Sequence, residues 1–422
     1  MKKCGLSMPN CERKTEKLSI GILSLYYKNE NCGGQLQAFA LCNAISKLGY
    51  DAEQICYQSS ATIGSSNESF VKKTIRHLKN DGLSDTVKLI MSRLDLFGKG
   101  KKNKALRKKA FSAFEAQVPH SERVYSDDDL AESVDDYDIF VVGSDQVWNW
   151  NFCGTVQTDG SIKLTAKLDN YLLRFVPDEK RKLSYAASIA CPYIPDELKE
   201  PYFESVKRLD AASIRESANL SLFPEDVRKD ISVVEDPTLL LNADDWIDAL
   251  GLSVERKKGG YIFLYLLSCT KEDRKAVKRM AKVLGLPTIT RPDIVQDVFH
   301  RYDIGLADVE DWNMGPKEFV DYIRNASLVI TNSFHATVFS MQFHTPFYIF
   351  KRESEVSMHS RLESVAADYN LGDRILPHDC DVRGLNVEGI DWNHVDEVMI
   401  AKRKESMSFL LNALQGGKDD GN

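Results

Sequence analysis

The stretch Ser327 to Phe350, SLVITNSFHATVFSMQFHTPFYIF, restricts the fold more than any other part of the chain. Leu328-Val329-Ile330 is a short continuous apolar run of the kind that forms a fully buried strand. Thr331, Asn332 and Ser333 follow as capping residues, and a helical pattern runs on from Phe334. Thr345-Pro346 ends that helix, and Phe347 to Phe350 reads as the next strand. His335 therefore falls in the first helical turn, just past the carboxyl end of a strand. Open α/β sheets bind ligands there, and the free backbone N–H groups of the helix start favour anions. An imidazole in that position can meet an anionic ligand and move a proton. The plainer reading is a capped helix carrying a hydrogen-bonded histidine.

The same strand–turn–helix pattern recurs along the chain. Leu18 to Leu25 reads as a first strand, the turn YYKNENCGGQLQ (26–37) leads into a helix ending near Gly49, and Asp51 to Tyr57 gives a second strand. This is the first half of a Rossmann-like unit, with Asn31, Gly33 and Gly34 where the backbone can approach a ligand closely. Asp138 to Val142 is a buried parallel strand that runs straight into Gly143-Ser144-Asp145-Gln146. Small polar residues at such an exit are costly unless they contact a ligand or cap a helix. Leu183 to Ser188 repeats the arrangement, and Ala211 to Ile214 leads to Arg215, whose planar fork suits a carboxylate or phosphate, although a lone arginine more often forms a surface ion pair.

Val233 to Thr238 reads as the last strand of a first domain, leaving through Asp236-Pro237. A second series follows: strand Tyr261 to Leu267, helix Lys271 to Leu284, strand Leu286 to Thr290 and helix Pro316 to Asn325. Between the last two, Gly305 to Pro316 reads as an irregular, cleft-lining linker. Ser59 to Asp129 reads as polar and helical, and Trp392 to Leu414 as a long final helix. The expected organisation is a Rossmann-like domain over 17–240, a second over 241–390, and a helix over 391–416 crossing back to the first.

A chain of 422 residues exceeds one ordinary core, which agrees with two domains. The net charge of −7 argues against general nucleic-acid binding. Nine cysteines without a Cys-x-x-Cys pair or zinc spacing predict no metal site and a reducing compartment. The polar, basic start is unlike a secretory signal, and no apolar run reaches the ~20 residues of a membrane span, so a cytoplasmic location is expected. Lys99 to Lys109, KGKKNKALRKK, is strongly basic: either a solvated helix face or a contact with anionic lipid headgroups at the inner membrane.

Taken together, NCGGQLQAFAL (31–41), FVVGSDQVWN (140–149), DNYLLRFVPDEKRKLSYAASIA (169–190), IRES (214–217), EDPTLLL (235–241) and SLVITNSFHATVFSMQFHTPF (327–347) resemble the polysaccharide pyruvyl transferase family in order and spacing. Arg361-Leu362-Glu363 resembles the family's closing segment. The resemblance, running from about Lys17 to Asp373, implies a GT-B-like α/β fold in which two Rossmann-like domains face a central cleft. It implies transfer of a pyruvyl group from phosphoenolpyruvate to a sugar of a bacterial surface polysaccharide or its lipid-linked precursor, usually as a cyclic ketal, with no cofactor. Arg215 matches a family arginine that holds the donor's anionic groups, and His335 a family histidine near the donor. Asp145 is expected to orient or deprotonate an acceptor hydroxyl, with Ser144 beside it, and Asn31, Gly33 and Gly34 to form the acceptor side. Many family members carry an arginine at the position of Ser333. Here Ser333 would donate a hydrogen bond, with Lys351, Arg352 or Arg361 supplying the missing cation. Two other functions share this architecture: a glycosyltransferase using a nucleotide sugar, which needs an acidic ribose partner in the second domain, and a non-catalytic protein that binds a glycan or anion.

Overall fold

The computed structural model describes residues 18–59, 99–153, 155–156, 162–257, 259–267, 269–292, 294–295, 298–299, 305–351, 360–377 and 380–416. Apolar runs bounded by turns become the strands of two parallel sheets. In the first, β1 (Ser19–Leu23), β2 (Asp51–Tyr57), β3 (His120–Tyr125), β4 (Ile139–Gly143) and β5 (Arg181–Tyr185) lie in the order β3-β2-β1-β4-β5. Every neighbouring pair is parallel, with Ile22 beside Val141 and Val141 beside Leu183. Single bridges from Leu183 to Ala211 and Ala187 to Ile214 extend this sheet to β6 (Ala212–Ile214), which pairs with β7 (Ile231–Val233).

The second sheet contains β8 (Ile262–Tyr265), β9 (Thr288–Thr290), β10 (Val309–Glu310), β11 (Leu328–Thr331), β12 (Phe347–Phe350) and β13 (Ile375–Leu376). Their order is β10-β9-β8-β11-β12-β13, again all parallel. Strand order reverses between β1 and β4 in one sheet and between β8 and β11 in the other, and crevices at such reversals are the binding sites of open α/β sheets. The fold is α/β, with two Rossmann-like lobes facing a cleft.

Two helices aim at that cleft. Helix α1 (Cys32–Lys47) starts at Asn31, whose side chain accepts a hydrogen bond from the Gly34 N–H at 3.3 Å. Among the others are α2 (Lys99–Glu115), α3 (Asp196–Lys207), α4 (Ala243–Leu250), α5 (Lys271–Leu284) and α6 (Pro316–Asn325). Helix α7 (Phe334–Gln342) starts at the Ser333 cap, and α8 (Ser360–Asp368) follows β12. The final helix, α9 (Trp392–Gln415), begins against His344, which stacks on Trp392, and ends where Arg181 of the first sheet bonds the Leu414 carbonyl at 2.5 Å.

One apolar core runs unbroken through both lobes. Phe39 of α1, Trp246 of α4, and Phe339 of α7 pack ring to ring at 6.0 and 5.1 Å, and Phe319 of α6 continues the row to Tyr265 of β8. Such packing excludes water and tolerates little rearrangement.

Three expectations change. Val233 to Thr238 is not a strand: β7 ends at Val233, and Pro237–Leu239 turns into a short 3-10 helix capped by Asp236. Within Ser59 to Asp129, the segment HSERVY (120–125) is strand β3 rather than helix, exposed at the sheet edge except for Ser121 and Tyr125. Gly305 to Pro316 does not line the cleft: its Val309–Glu310 adds strand β10 to the second sheet, and Met314 is buried in the shared core. No helix among the described residues is long and apolar enough to cross a membrane.

Candidate active site

The carboxyl ends of the two sheets enclose a cleft of about 540 Å³. Asn31 and Asp145 line it from the first lobe, and Ser333, His335 and Arg361 from the second. A neighbouring cavity of about 170 Å³ contains Arg215 and Glu216, and Phe334 and Arg361 border both spaces.

The deepest feature is Asp236, fully buried two residues beyond the end of the Val233–Val234 segment. Its Oδ2 accepts hydrogen bonds from Arg215 Nη1 at 2.6 Å and from Ser144 Oγ at 3.2 Å. Its Oδ1 accepts from the Thr238 N–H at 3.0 Å and Thr238 Oγ1 at 2.7 Å. His335 Nε2 lies 3.8 Å from the same Oδ2, a charge contact rather than a hydrogen bond. The imidazole and the guanidinium thus come from opposite lobes and converge on one carboxylate.

Burial alone would raise the Asp236 pKa. His335, Arg215 and the Thr238 N–H outweigh that effect and hold it far below the usual carboxylate range. For Arg215 burial works toward neutrality, and the carboxylates of Glu216, Asp236 and Asp145 overcome it and hold the guanidinium firmly charged. Arg215 Nε bonds Glu216 Oε1 at 3.2 Å, and Ser188 Oγ donates to the same oxygen at 2.6 Å. The guanidinium also stacks 4.6 Å over the Phe334 ring. Arg215 Nη2, Glu216 Oε2 and His335 Nε2 remain buried without hydrogen-bond partners among the described residues. Buried polar atoms normally find partners, so this group has unused bonding capacity.

Gly33 explains why the first turn of α1 needs a residue without a side chain. A Cβ placed on it would lie 2.0 Å from His335 Nδ1, so only glycine lets the imidazole rest there. The first turn of α1 thereby touches the first turn of α7, and neither turn carries an acidic residue. Two helix N-termini from different lobes present their positive dipole ends to the same space.

The other predicted residues divide. Asp145 is buried with φ of 59°, lines the cleft, and makes no hydrogen bond with its carboxylate among the described residues. Ser144 is fully buried and serves Asp236 and the Ala186 carbonyl instead of the cleft. Gly34 is not a cleft-lining residue, and a Cβ on it would meet Asn29 and the Leu25 carbonyl, each at 3.4 Å. Ser333 Oγ is 3.5 Å from the Ala336 N–H as the helix cap and lines the cleft. Arg361 reaches the cleft wall, Lys351 lies away from it and 3.9 Å from Glu363, and Arg352 is outside the described residues. Reasoning from the sequence missed Asp236 and Glu216 as site residues. The available signal was their position, since each follows a short strand of the first lobe, as Asp145 does. No group of three or more metal-ligating side chains occurs among the described residues.

Solved structures of similar overall arrangement include a UDP-GlcNAc 2-epimerase from Methanocaldococcus jannaschii in complex with UDP-GlcNAc and UDP, with 11% identity, 95% of this chain and 100% of that chain covered, and a TM-score of 0.46. A putative UDP-N-acetylglucosamine 2-epimerase from Listeria monocytogenes gives 9% identity, 94% and 91% coverage, and 0.44. The spinosyn rhamnosyltransferase SpnG gives 9% identity, 94% coverage of both chains, and 0.37. A search of curated protein sequences finds no match. The sequence pattern of one family, polysaccharide pyruvyl transferase, matches residues 31–354, which include every cleft residue named above except Arg361. The chain belongs to the polysaccharide pyruvyl transferase family.

Proposed function

We propose that the cleft moves the pyruvyl group of phosphoenolpyruvate onto two hydroxyls of one sugar in a surface polysaccharide or its lipid-linked precursor. The observation that carries this reading is the meeting of His335 with Gly33, Asp236 and Arg215 where two helix N-termini face each other. The donor bears a carboxylate and a phosphate, and backbone N–H groups with Arg361 are suited to receive them. This arrangement compensates for serine at position 333.

His335 delivers a proton to the donor's methylene carbon, leaving an oxocarbenium-like centre at the adjoining carbon. Asp145, whose carboxylate makes no hydrogen bond among the described residues, takes the proton of the attacking sugar hydroxyl. The carbon–oxygen bond to phosphate then breaks, the phosphate leaving with the proton held by Asp145, and the second hydroxyl closes the ketal. Its proton passes to His335 and replaces the one delivered to the new methyl group. Asp236 faces the imidazole and balances its positive charge, and Arg215 keeps that carboxylate ionised. In this reading both act by positioning, and the expectation that Arg215 holds the donor itself gives way because Arg215 lies in the neighbouring cavity rather than among the cleft-lining residues.

A nucleotide-sugar donor fits less well, because among the described residues the second lobe's side of the cleft includes no carboxylate to hold a ribose. Lys102, Lys104, Lys108 and Lys109 on the exposed side of α2, with Arg107 and Phe111 buried behind them, suit contact with an anionic lipid surface near a lipid-linked acceptor. The test of the main reading is phosphate release from phosphoenolpyruvate, expected only with a glycan present and abolished by His335→Ala. Release without a glycan, or full activity in the variant, refutes it.

A further inference from the structure

The half of the cleft away from His335 differs in chemistry from the reacting end. A donor of about ten non-hydrogen atoms leaves much of a pocket this size vacant. The remaining wall is built from Tyr27, Tyr57 and Tyr171. Tyr57 is fixed in place: its hydroxyl donates to Asp127 and accepts from Asn170 Nδ2 at 3.0 Å, and its ring meets the edge of Tyr171 at 5.7 Å. Tyr57 and Tyr171 are themselves buried and form the rigid backing, while the half-buried Tyr27 ring offers an apolar face with a polar edge at little entropic cost, which suits one side of a pyranose.

Two ammonium groups frame this wall. Lys28 Nζ donates to the neutral Gln58 Oε1 at 3.0 Å and lies 5.0 Å over the Tyr27 ring. Lys167 lines the cleft half-buried, and neither lysine forms an ion pair among the described residues. Glu115, behind Lys28, has its pKa pushed up by burial, with His120 and Lys28 drawing it back; it is not a cleft residue. Lys28 itself holds a left-handed backbone, φ of 50°, which favours glycine unless the side chain is needed. Asp145, at the reacting end, is the one carboxylate among the described cleft-lining residues, although the whole chain carries a net charge of −7. Among the described residues the cleft lining is therefore positive on an acidic protein, a pattern that attracts anions.

We propose that this tyrosine-walled, lysine-framed half of the cleft is the acceptor subsite, and that it selects a sugar bearing an anionic substituent, which Lys28 and Lys167 hold while the ring lies against Tyr27. The word acceptor rests on the pyruvyl-transfer reading; the binding preference does not. The anion is either a phosphate ester or a carboxylate, and the two are separable.

Calorimetric titration of the full chain, without donor, compares a hexose 1-phosphate, the methyl glycoside of the matching hexuronic acid, and the neutral methyl hexoside. At least one charged probe is expected to bind about tenfold tighter than the neutral one, with the advantage shrinking as salt rises. Whichever charged probe keeps the advantage identifies the anion. Lys28→Met with Lys167→Met is expected to erase the difference while leaving neutral binding and the thermal midpoint unchanged, and Tyr57→Phe to leave the charge preference intact. Equal binding of charged and neutral probes, or a preference that survives the double substitution, overturns the proposal. A charge preference in a protein that releases no phosphate from phosphoenolpyruvate with any glycan would retain the subsite and remove the transfer reading.

Discussion

Replacing Asp236 with asparagine tests the centre of the site without changing its shape. The wild-type carboxylate, fully buried, accepts four hydrogen bonds, two of them on Oδ2 from Arg215 and Ser144. The substituted amide would keep an oxygen for Thr238 and point its N–H₂ at a charged guanidinium. Removing one partner of a buried pair costs about 3–5 kcal/mol, and the lower figure applies because Glu216 still holds Arg215. We therefore expect Asp236→Asn to lose about 3 kcal/mol at pH 7, a fall in thermal midpoint of roughly 3–4 °C for a chain of this length.

The pH dependence has a definite sign. Asp236 has a depressed pKa in the folded protein, so the unfolded chain binds its proton first and native stability rises with pH through that range. The gap between wild type and variant should be complete above the ordinary carboxylate pKa of about 4, and should close as pH falls below it. Combining the change with Arg215→Met removes both charges and should recover part of the loss, a non-additive cycle that calorimetry can measure. Turnover should fall about 100-fold through loss of the charge facing His335. A stability loss below about 0.5 kcal/mol, a pH-independent gap, or strictly additive changes would refute the argument.

Gly33→Ala drives a methyl group into the His335 ring, so turnover should fall about 100-fold; unchanged turnover would mean the imidazole is not at the reacting centre. Asp145→Asn should reduce the rate of ketal formation about 100-fold while phosphoenolpyruvate still raises the thermal midpoint, and loss of that shift would assign Asp145 to donor binding instead. Changing Lys102, Lys104, Lys108 and Lys109 to glutamine should weaken sedimentation with phosphatidylglycerol vesicles at least about tenfold, and salt should do the same to the wild type; binding insensitive to both would exclude an electrostatic lipid contact.

The parallel strands and the starts of α1 and α7 were legible because burial on both faces demands continuous apolar runs, and helix starts demand Asn31 and Ser333. Strand β3 was not, because HSERVY lies at an edge with most of its side chains in water and so lacks an apolar run. The position of His335 beside the cleft was readable from local order alone. What surrounds Arg215 was only half so: Glu216 is the next residue, but only the fold brings Asp236 to the other end of its guanidinium. A sequence can show that a cation follows a strand, but not the carboxylate that the end of a neighbouring strand supplies to it. Asp236, followed by proline, read as the exit from a domain, yet the same turn tucks its carboxylate under Ser144 of a strand nearly a hundred residues earlier.

The row of rings through Trp246 also limits how this molecule can move. Jaws joined by a shared interior cannot swing apart on a hinge without exposing Phe39, Phe319 and Phe339 to water, so the gap between them keeps a fixed width whether loaded or not. Guests must arrive by the open side and leave the same way, and X-ray scattering profiles with and without phosphoenolpyruvate should superimpose.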